Sequence, residues 1–270
     1  MDSVSLSKKV RLDILQMVSK ANAQHIGPAF SIVDVVSVLY SGFLNIDPSH
    51  PQKDTRDIFI LSKGHAGAAI YATLAECGFF PVSWLEHYEE NGGLLSGHVS
   101  SHGVPGVELS TGALGHGLSV GCGIAYGFKC DEKKNRVFVL IGDGENEEGS
   151  VWEAATFASR FHLDNLTVIV DRNRFQAMGK VDDIMACDSG LEKKWADFGF
   201  DTQTVNGHDH VALGDAFSKR APGKPHTIIA DTIKGKGVSF MENNLKWHYT
   251  SPKGEEYEKA KLELEEALNK

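Results

Sequence analysis

Cysteine is scarce in this sequence: four in 270 residues, Cys77, Cys122, Cys130 and Cys187, with no CxxC spacing. A disulfide scaffold and a cysteine-rich zinc module are thereby excluded. Each thiol reads as a small core residue, in a protein expected in a reducing cytoplasm. Proline is sparse too, at eight, and no Pro/Gly/Ser-rich stretch, repeat or low-complexity tract divides the chain, so one domain over residues 1–270 is expected. No stretch approaches the ~18–20 apolar residues of a membrane span. The N-terminus MDSVSLSKKV carries no apolar segment after its first basic residues, so neither a bilayer partner nor a secretory leader is expected. Basic charge is in deficit, Lys+Arg 27 against Asp+Glu 36, for a net charge of −9. Nucleic acid and anionic membranes need a dense basic face and are not expected partners. What remains, 41% hydrophobic and 23% charged, is a globular composition with enough apolar residues for a sizeable core.

Segments with apolar residues three and four apart alternate with short Val/Ile/Phe runs that end in Gly or Asp. This alternation predicts an α/β fold, a doubly wound, mainly parallel sheet with helices on both faces. The first helix gathers Val10, Ile14, Met17, Val18 and Ala21 on one face, and a second is expected to start at Ser31 as its N-cap with Asp34 three residues on. Ile32, Val35, Val36, Leu39 and Tyr40 would form its buried stripe. Strands are expected at 58–61, 137–141, 166–170, 202–205 and 227–230. The last twenty residues read as a charged helix with Tyr257, Leu264 and Leu268 toward the body.

The most informative passage runs from Arg136 to Phe175. The apolar run Val137 to Ile141 ends at Gly142-Asp143-Gly144, a helical stretch follows, and the run Leu166 to Val170 ends at Asp171-Arg172-Asn173. In such a βαβ unit the two strands are usually neighbours. Asp143 and Asn173 then emerge together at the carboxyl edge, where open α/β sheets bind ligands. Two converging oxygens suit a hard cation such as Mg²⁺, which completes its shell with phosphate oxygens and water. The flanking glycines would let a phosphate approach the backbone, and the following helix N-terminus would favour an anion. Alone, the Gly-Asp-Gly reads first as a tight turn after a buried strand, with Asp143 an ordinary cap. No GxGxxG opens a helix after a strand, so a dinucleotide site is not indicated.

A GDG followed by 28 residues and an Asn resembles the thiamine-diphosphate motif of the transketolases. ANAQHIG near the N-terminus, SKGHAGAAIY at 62–71, GVPGVELSTGALGHGLSVGCGIA at 103–125 and KGKGVSFMENNLKWH at 234–248 resemble that family in the same order. The resemblance covers nearly the whole chain and only the N-terminal, diphosphate-binding half of a full-length transketolase. It implies Asp143, Asn173 and the main-chain carbonyl of Phe175 as ligands of Mg²⁺ (or Ca²⁺ or Mn²⁺), with Gly142 and Gly144 against the diphosphate. It implies that His25, His65, His98 and His248 line the substrate channel, with His65 and His248 also touching the cofactor. The backbone at Gly112 and Leu114 would meet the aminopyrimidine, and Glu148 would lie where two cofactor sites touch. Without the resemblance, Glu148 is one more acid in the solvated run Glu145 to Glu148. The family often has two asparagines where this chain has Arg172-Asn173, and Asn173 keeps the metal position. It usually reads Gly-His-Pro and an acid where this chain has Gly97-His98-Val99-Ser100, a departure that points to a different acceptor. Gly112 to Gly127 carries too many glycines for a stable lone helix. It reads as a loop, a tightly packed helix or, by resemblance, a helix that abuts a partner. His102, His116, His208 and His210 read as structural or surface residues, with Asp209 as a helix cap.

Transketolases supply the glutamate that activates the aminopyrimidine from a second, pyrimidine-binding domain, and these residues have no counterpart of it. The resemblance therefore implies a split enzyme: a separate C-terminal-type subunit with the activating glutamate, a heterotetramer of two of each chain, and sugars or sugar phosphates as substrates. Such an enzyme would transfer a two-carbon ketol unit from a ketose to an aldose. Alternatives are a subunit of a deoxyxylulose-phosphate-synthase-like or keto-acid-decarboxylating enzyme, a non-catalytic diphosphate-binding scaffold, or a metal hydrolase using Asp143 and nearby histidines.

Overall fold

Successive residues of a strand face opposite sides of a sheet, and here both sides are apolar. In β1 (Ile58–Leu61), Phe59 and Leu61 join one buried cluster and Ile58 and Ile60 another. In β2 (Val137–Gly142), Phe138 and Leu140 divide in the same way from Val137, Val139 and Ile141. A strand that is buried on both faces needs helices on both faces. The structure, a computed structural model that describes residues 1–185 and 190–268, supplies them. With β3 (Leu166–Arg172), β4 (Asp201–Asn206) and β5 (His226–Asp231), the strands form one sheet of order β1-β2-β3-β5-β4, every pair parallel. All carboxyl ends therefore share one edge.

One face is covered by α1 (Ser3–Ala21), α2 (Ile26–Ser31), α3 (Val33–Val38), α4 (Gly67–Glu76), α9 (His210–Ser218) and α10 (Glu255–Leu268). The other is covered by α5 (His116–Cys130), α6 (Gly149–Arg160) and α8 (Leu191–Asp197), with Trp195 fully buried. The four-residue α7 (Val181–Ile184) follows the β3 loop. The glycines of α5 let it lie close on the sheet: a Cβ at Gly121 would stand 2.4 Å from the Val139 side chain. The glycine-rich segment is thus a short loop at 112–115 that leads into the packed helix α5. All five predicted strands are present, extended at most by two residues. Asp209 caps α9, its Oδ1 accepting from the amides of Val211 and Ala212 at 3.0 Å each.

Three expectations are corrected. Ser31 ends α2 and caps nothing; its hydroxyl donates to Pro28 O (3.0 Å) and Asp171 Oδ2 (2.7 Å). Asp34 instead takes a two-pronged pair from Arg11 at 3.0 and 2.7 Å. In α10, Leu264 is buried and Tyr257 packs on the core, but Leu268 is 40% exposed, because Ala260 and Leu264 define the inward stripe. Among the described cysteines only Cys122 is core; Cys77 is half-buried and Cys130 exposed at the end of α5. Cys187 lies outside the described residues. No described helix is long and apolar enough to cross a membrane.

Asp13 on α1 faces a cavity of about 220 Å³ shared with the turn Val82–His87, and its Oδ2 is buried without a partner. Burial first, and then the charge of Glu76, push its carboxyl from 3.8 up to about 7. The folded state thus keeps a proton that the unfolded chain releases near 3.8. This contribution to stability is full at low pH and lost as pH rises through about 7. Urea unfolding should show wild-type stability falling between about pH 4 and 7 and levelling off above that, and Asp13→Asn should flatten that fall; parallel profiles would disprove the assignment.

Candidate active site

β2 and β3 are neighbours, with Gly142 opposite Asp171, so the loops after them start side by side. The amide of Asp143 donates to Asp171 O at 3.2 Å. The carboxylate of Asp143 accepts from the amides of Gly144 (2.8 Å) and Arg174, which binds the second loop to the first. The Asn173 amide group donates to Asp171 Oδ2 (2.7 Å), and its Oδ1 accepts from the Phe175 amide (3.1 Å). Asn146 anchors the first loop: its Nδ2 donates to Gly142 O (2.8 Å), its Oδ1 accepts from the Trp195 indole (3.0 Å) and its carbonyl from the Trp152 indole (2.7 Å). A short 3₁₀ turn, Gly144–Glu147, intervenes before α6. Of the two amides that donate to Asp143, that of Gly144 belongs to this turn and that of Arg174 to the loop after β3, so the N-terminus of α6 supplies neither.

Beneath the loops, Asp171 has no exposed surface and Lys63 is 1% exposed. Lys63 Nζ donates to Asp171 Oδ2 at 2.5 Å and to Pro28 O at 3.1 Å. The Thr232 and Ser31 hydroxyls also donate to Asp171. Burial alone would raise the Asp171 pKa; the Lys63 charge and these hydrogen bonds outweigh it and hold the carboxyl below its usual range. Asp143 differs, pushed up to about 7 by burial and then by the neighbouring Asp171.

Above the loops opens a cavity of about 320 Å³. His25, His65, His98, His248, Gly112, Leu114, Gly142, Asp143, Gly144, Glu148, Asn173 and Phe175, drawn from widely separated stretches of sequence, all line it. The His25 ring lies 5.2 Å from those of His65 and His248 and 5.5 Å from that of His98. Burial, then the charge of His98 and the lysines, lower His25 to about 4; burial, then Lys234, lower His248 to about 3. His65 is lowered well below its ordinary value by burial and then Lys63. These three imidazoles are neutral near pH 7. Lys234 Nζ donates to His248 Nδ1 at 2.8 Å, so the His248 ring proton sits on Nε2. His25 is held at φ 71, its amide bound to His248 O at 2.9 Å.

Sequence reasoning missed Lys63, Lys234 and Glu145, which also line the cavity. Both lysines stood inside the matched motifs, but nothing in one sequence marks a lysine as buried. The run Glu145 to Glu148 corrects the solvated reading: Glu145 is 2% exposed and Asn146 1%, and only Glu148 is exposed. His102 and His116 are exposed, while His208 Nδ1 (2.7 Å) and His210 Nε2 (3.2 Å) contact the Asp34 carboxylate, as structural histidines do. Among the described residues no three His, Cys, Asp or Glu side chains assemble a metal cluster.

A parallel α/β sheet with a polar cavity at the carboxyl ends of its strands has the architecture of a thiamine-diphosphate-binding domain. Residues 3–266 match the family model described as "Transketolase, thiamine diphosphate binding domain", and the chain belongs to that family. It is 43% identical over 262 residues to an apulose-4-phosphate transketolase subunit of Actinobacillus succinogenes, covering 96% of this chain and 95% of that one. It is 38% identical over 258 residues to the 6-deoxy-6-sulfo-D-fructose transketolase subunit SqwG of Clostridium sp. (strain MSTE9), covering 95% and 94%. The crystal structure of transketolase from Campylobacter jejuni superposes with a TM-score of 0.91 at 29% identity. That superposition covers 97% of this chain and 42% of the other, so the chain spans about two fifths of that enzyme's length.

Removing one partner of a buried ion pair strands the other charge, which costs about 3–5 kcal/mol. Asp171→Asn should therefore lose stability of that order in urea unfolding, and adding Lys63→Met should restore part of it. A single variant within about 1 kcal/mol of wild type would show the pair to be dispensable.

Proposed function

We propose that this chain is the cofactor-binding subunit of a split transketolase. With a separate pyrimidine-domain subunit it transfers a two-carbon ketol unit from a ketose or ketose phosphate to an aldose. The observation that carries this reading is the meeting of Asp143, Asn173, Lys234 and neutral histidines in one cavity. The neutral His25, His65 and His248 favour sugar handling over plain decarboxylation, and the intact constellation argues against a scaffold that has lost its chemistry.

A hard divalent cation, Mg²⁺ with Ca²⁺ or Mn²⁺ as substitutes, suits the donor set. Asp143 is buried, and among the described residues only main-chain amides donate to its carboxylate, so a cation would offset a charge that burial disfavours. Asp143, Asn173 and the carbonyl of Phe175 would hold the metal, an all-oxygen set of the kind Mg²⁺ takes. Gly142, Gly144, His65 and Lys234 would face the diphosphate, and the backbone of Gly112 and Leu114 the aminopyrimidine. When bound, thiamine diphosphate supplies the carbon nucleophile that carries the two-carbon unit. This chain's residues orient the sugar and move its protons. A neutral imidazole can accept at one nitrogen and donate at the other. His248 donates through Nε2–H, while His25 and His65 can take or return a proton at sugar hydroxyls. His98, more exposed at the rim beside Val99-Ser100, would meet the acceptor.

The partner would pack on the face of α5 and α6 where Leu114, Val120, Tyr126 and Phe157 are exposed and Gly123 and Gly127 leave open space. Glu148, exposed on that side, would approach the second cofactor site of a heterotetramer with two copies of each chain. Five strands in one sheet support one domain, and the free thiols of Cys77, Cys122 and Cys130 support a reducing cytoplasm.

Titration calorimetry of the assembled enzyme should show Asp143→Asn lowering Mg²⁺-dependent thiamine diphosphate affinity by more than the roughly 10–100-fold typical of an outer-shell change. Unchanged affinity would remove Asp143 from the metal site. The chain alone, given thiamine diphosphate and Mg²⁺, should turn over no ketose; complete two-carbon transfer without a partner would reject the split reading.

A further inference from the structure

Glu145 sits where the two ends of the cavity come closest to a common support. Its Oε1 accepts from the Ser62 hydroxyl at 2.5 Å and from the Gly115 amide at 2.8 Å. Its Oε2 accepts from the Gly142 amide at 3.0 Å. Ser62 Oγ in turn accepts from the Gly117 amide at 3.1 Å, and the Gly115 carbonyl accepts from the Ser150 hydroxyl at 2.9 Å. Gly115 holds φ +81, and a Cβ there would stand 2.5 Å from Ser150 Oγ and 2.7 Å from Glu148 Cβ, so this close approach to α6 leaves room for glycine and no larger residue. One carboxylate thus ties the end of β2, the residue after β1 and the entry to α5.

We propose that Glu145 is a positioning residue that sets the distance between the diphosphate end of the site, Gly142–Gly144, and the aminopyrimidine end, Gly112–Leu114. The inference rests on the thiamine diphosphate reading above and adds a determinant of how the two ends are held apart. A carboxylate suits this task because all its lone pairs accept, and hydrogen bonds to a charged acceptor are the stronger kind. A glutamine cannot replace it. With its oxygen toward Ser62 and Gly115, its NH₂ would meet the Gly142 N–H, donor against donor; flipped, it would meet the Gly115 N–H. Either way one end is released while side-chain volume is kept.

The test compares Glu145→Gln and Ser62→Ala with wild type in the assembled enzyme, by amide hydrogen exchange and by titration with Mg²⁺ plus either thiamine diphosphate or inorganic pyrophosphate. Pyrophosphate needs only one end of the site. Glu145→Gln should lower thiamine diphosphate affinity by about tenfold or more, the equivalent of one lost charge-assisted bond. Pyrophosphate affinity should fall clearly less. Exchange should quicken at 115–117 or 142–144 and stay unchanged in β3 and β5. Ser62→Ala should quicken exchange at 115–117 alone. Equal losses for the two ligands with uniformly faster exchange would mark Glu145 as merely structural and overturn the proposal. So would unchanged thiamine diphosphate affinity, or a Ser62→Ala variant with wild-type exchange at Gly117. A wild type that binds neither ligand rejects the cofactor reading instead, and the exchange pattern then decides the clamp alone.

Discussion

The site depends on a buried ion pair. Taking Lys63 and Asp171 out of water is costly, and their attraction repays the cost only when the remaining hydrogen-bonding capacity is filled. It is filled here by Ser31 from α2, Thr232 after β5 and Asn173 from the β3 loop, so the pair joins elements that no local interaction would hold together. The same arrangement divides labour between two neighbouring carboxylates. Lys63 neutralises Asp171, while Asp143 faces the cavity with its charge disfavoured by burial and by Asp171.

The histidine cluster follows from the same electrostatics. Three imidazoles within 5.5 Å of a fourth, that of His25, would repel it if charged, and two buried lysines stand close by. Desolvation and those lysines keep His25, His65 and His248 neutral, which leaves each ring both a donor and an acceptor. Lys234 goes further and fixes which nitrogen of His248 carries the proton. Charge that would be a liability elsewhere sets the protonation state of the groups that line the cavity.

Much of this was legible in the sequence, and the physical reasons are specific. The strands could be read because parallel strands buried on both faces are continuous apolar runs that end abruptly, as Val137 to Ile141 does at Gly142. Asp143 and Asn173 could be paired because a right-handed βαβ unit makes its two strands neighbours. Burial of charge could not be read. Glu145 sits in a run of acids, Lys63 and Lys234 beside glycines, and only the fold carries them inward. Ser31 misled for a related reason: its spacing to Asp34 imitates a capping box, yet both side chains are claimed by charged partners distant in sequence, Asp171 and Arg11. Leu268 and Cys130 show the limit of composition, since an apolar residue at the end of a helix can face either way.

His25 enters α2 with its backbone in the left-handed region, a conformation that glycine adopts freely, asparagine tolerates, and β-branched residues strongly resist. The chain direction at this point is fixed by hydrogen bonds on both sides, from the His25 amide to His248 and from the Ala29 amide to the His25 carbonyl. The backbone therefore screens replacements before chemistry does. An evolving or engineered cavity can exchange this imidazole for a small amide or for no side chain at all, whereas valine, isoleucine and threonine are strongly disfavoured there, whatever ligand the cavity holds.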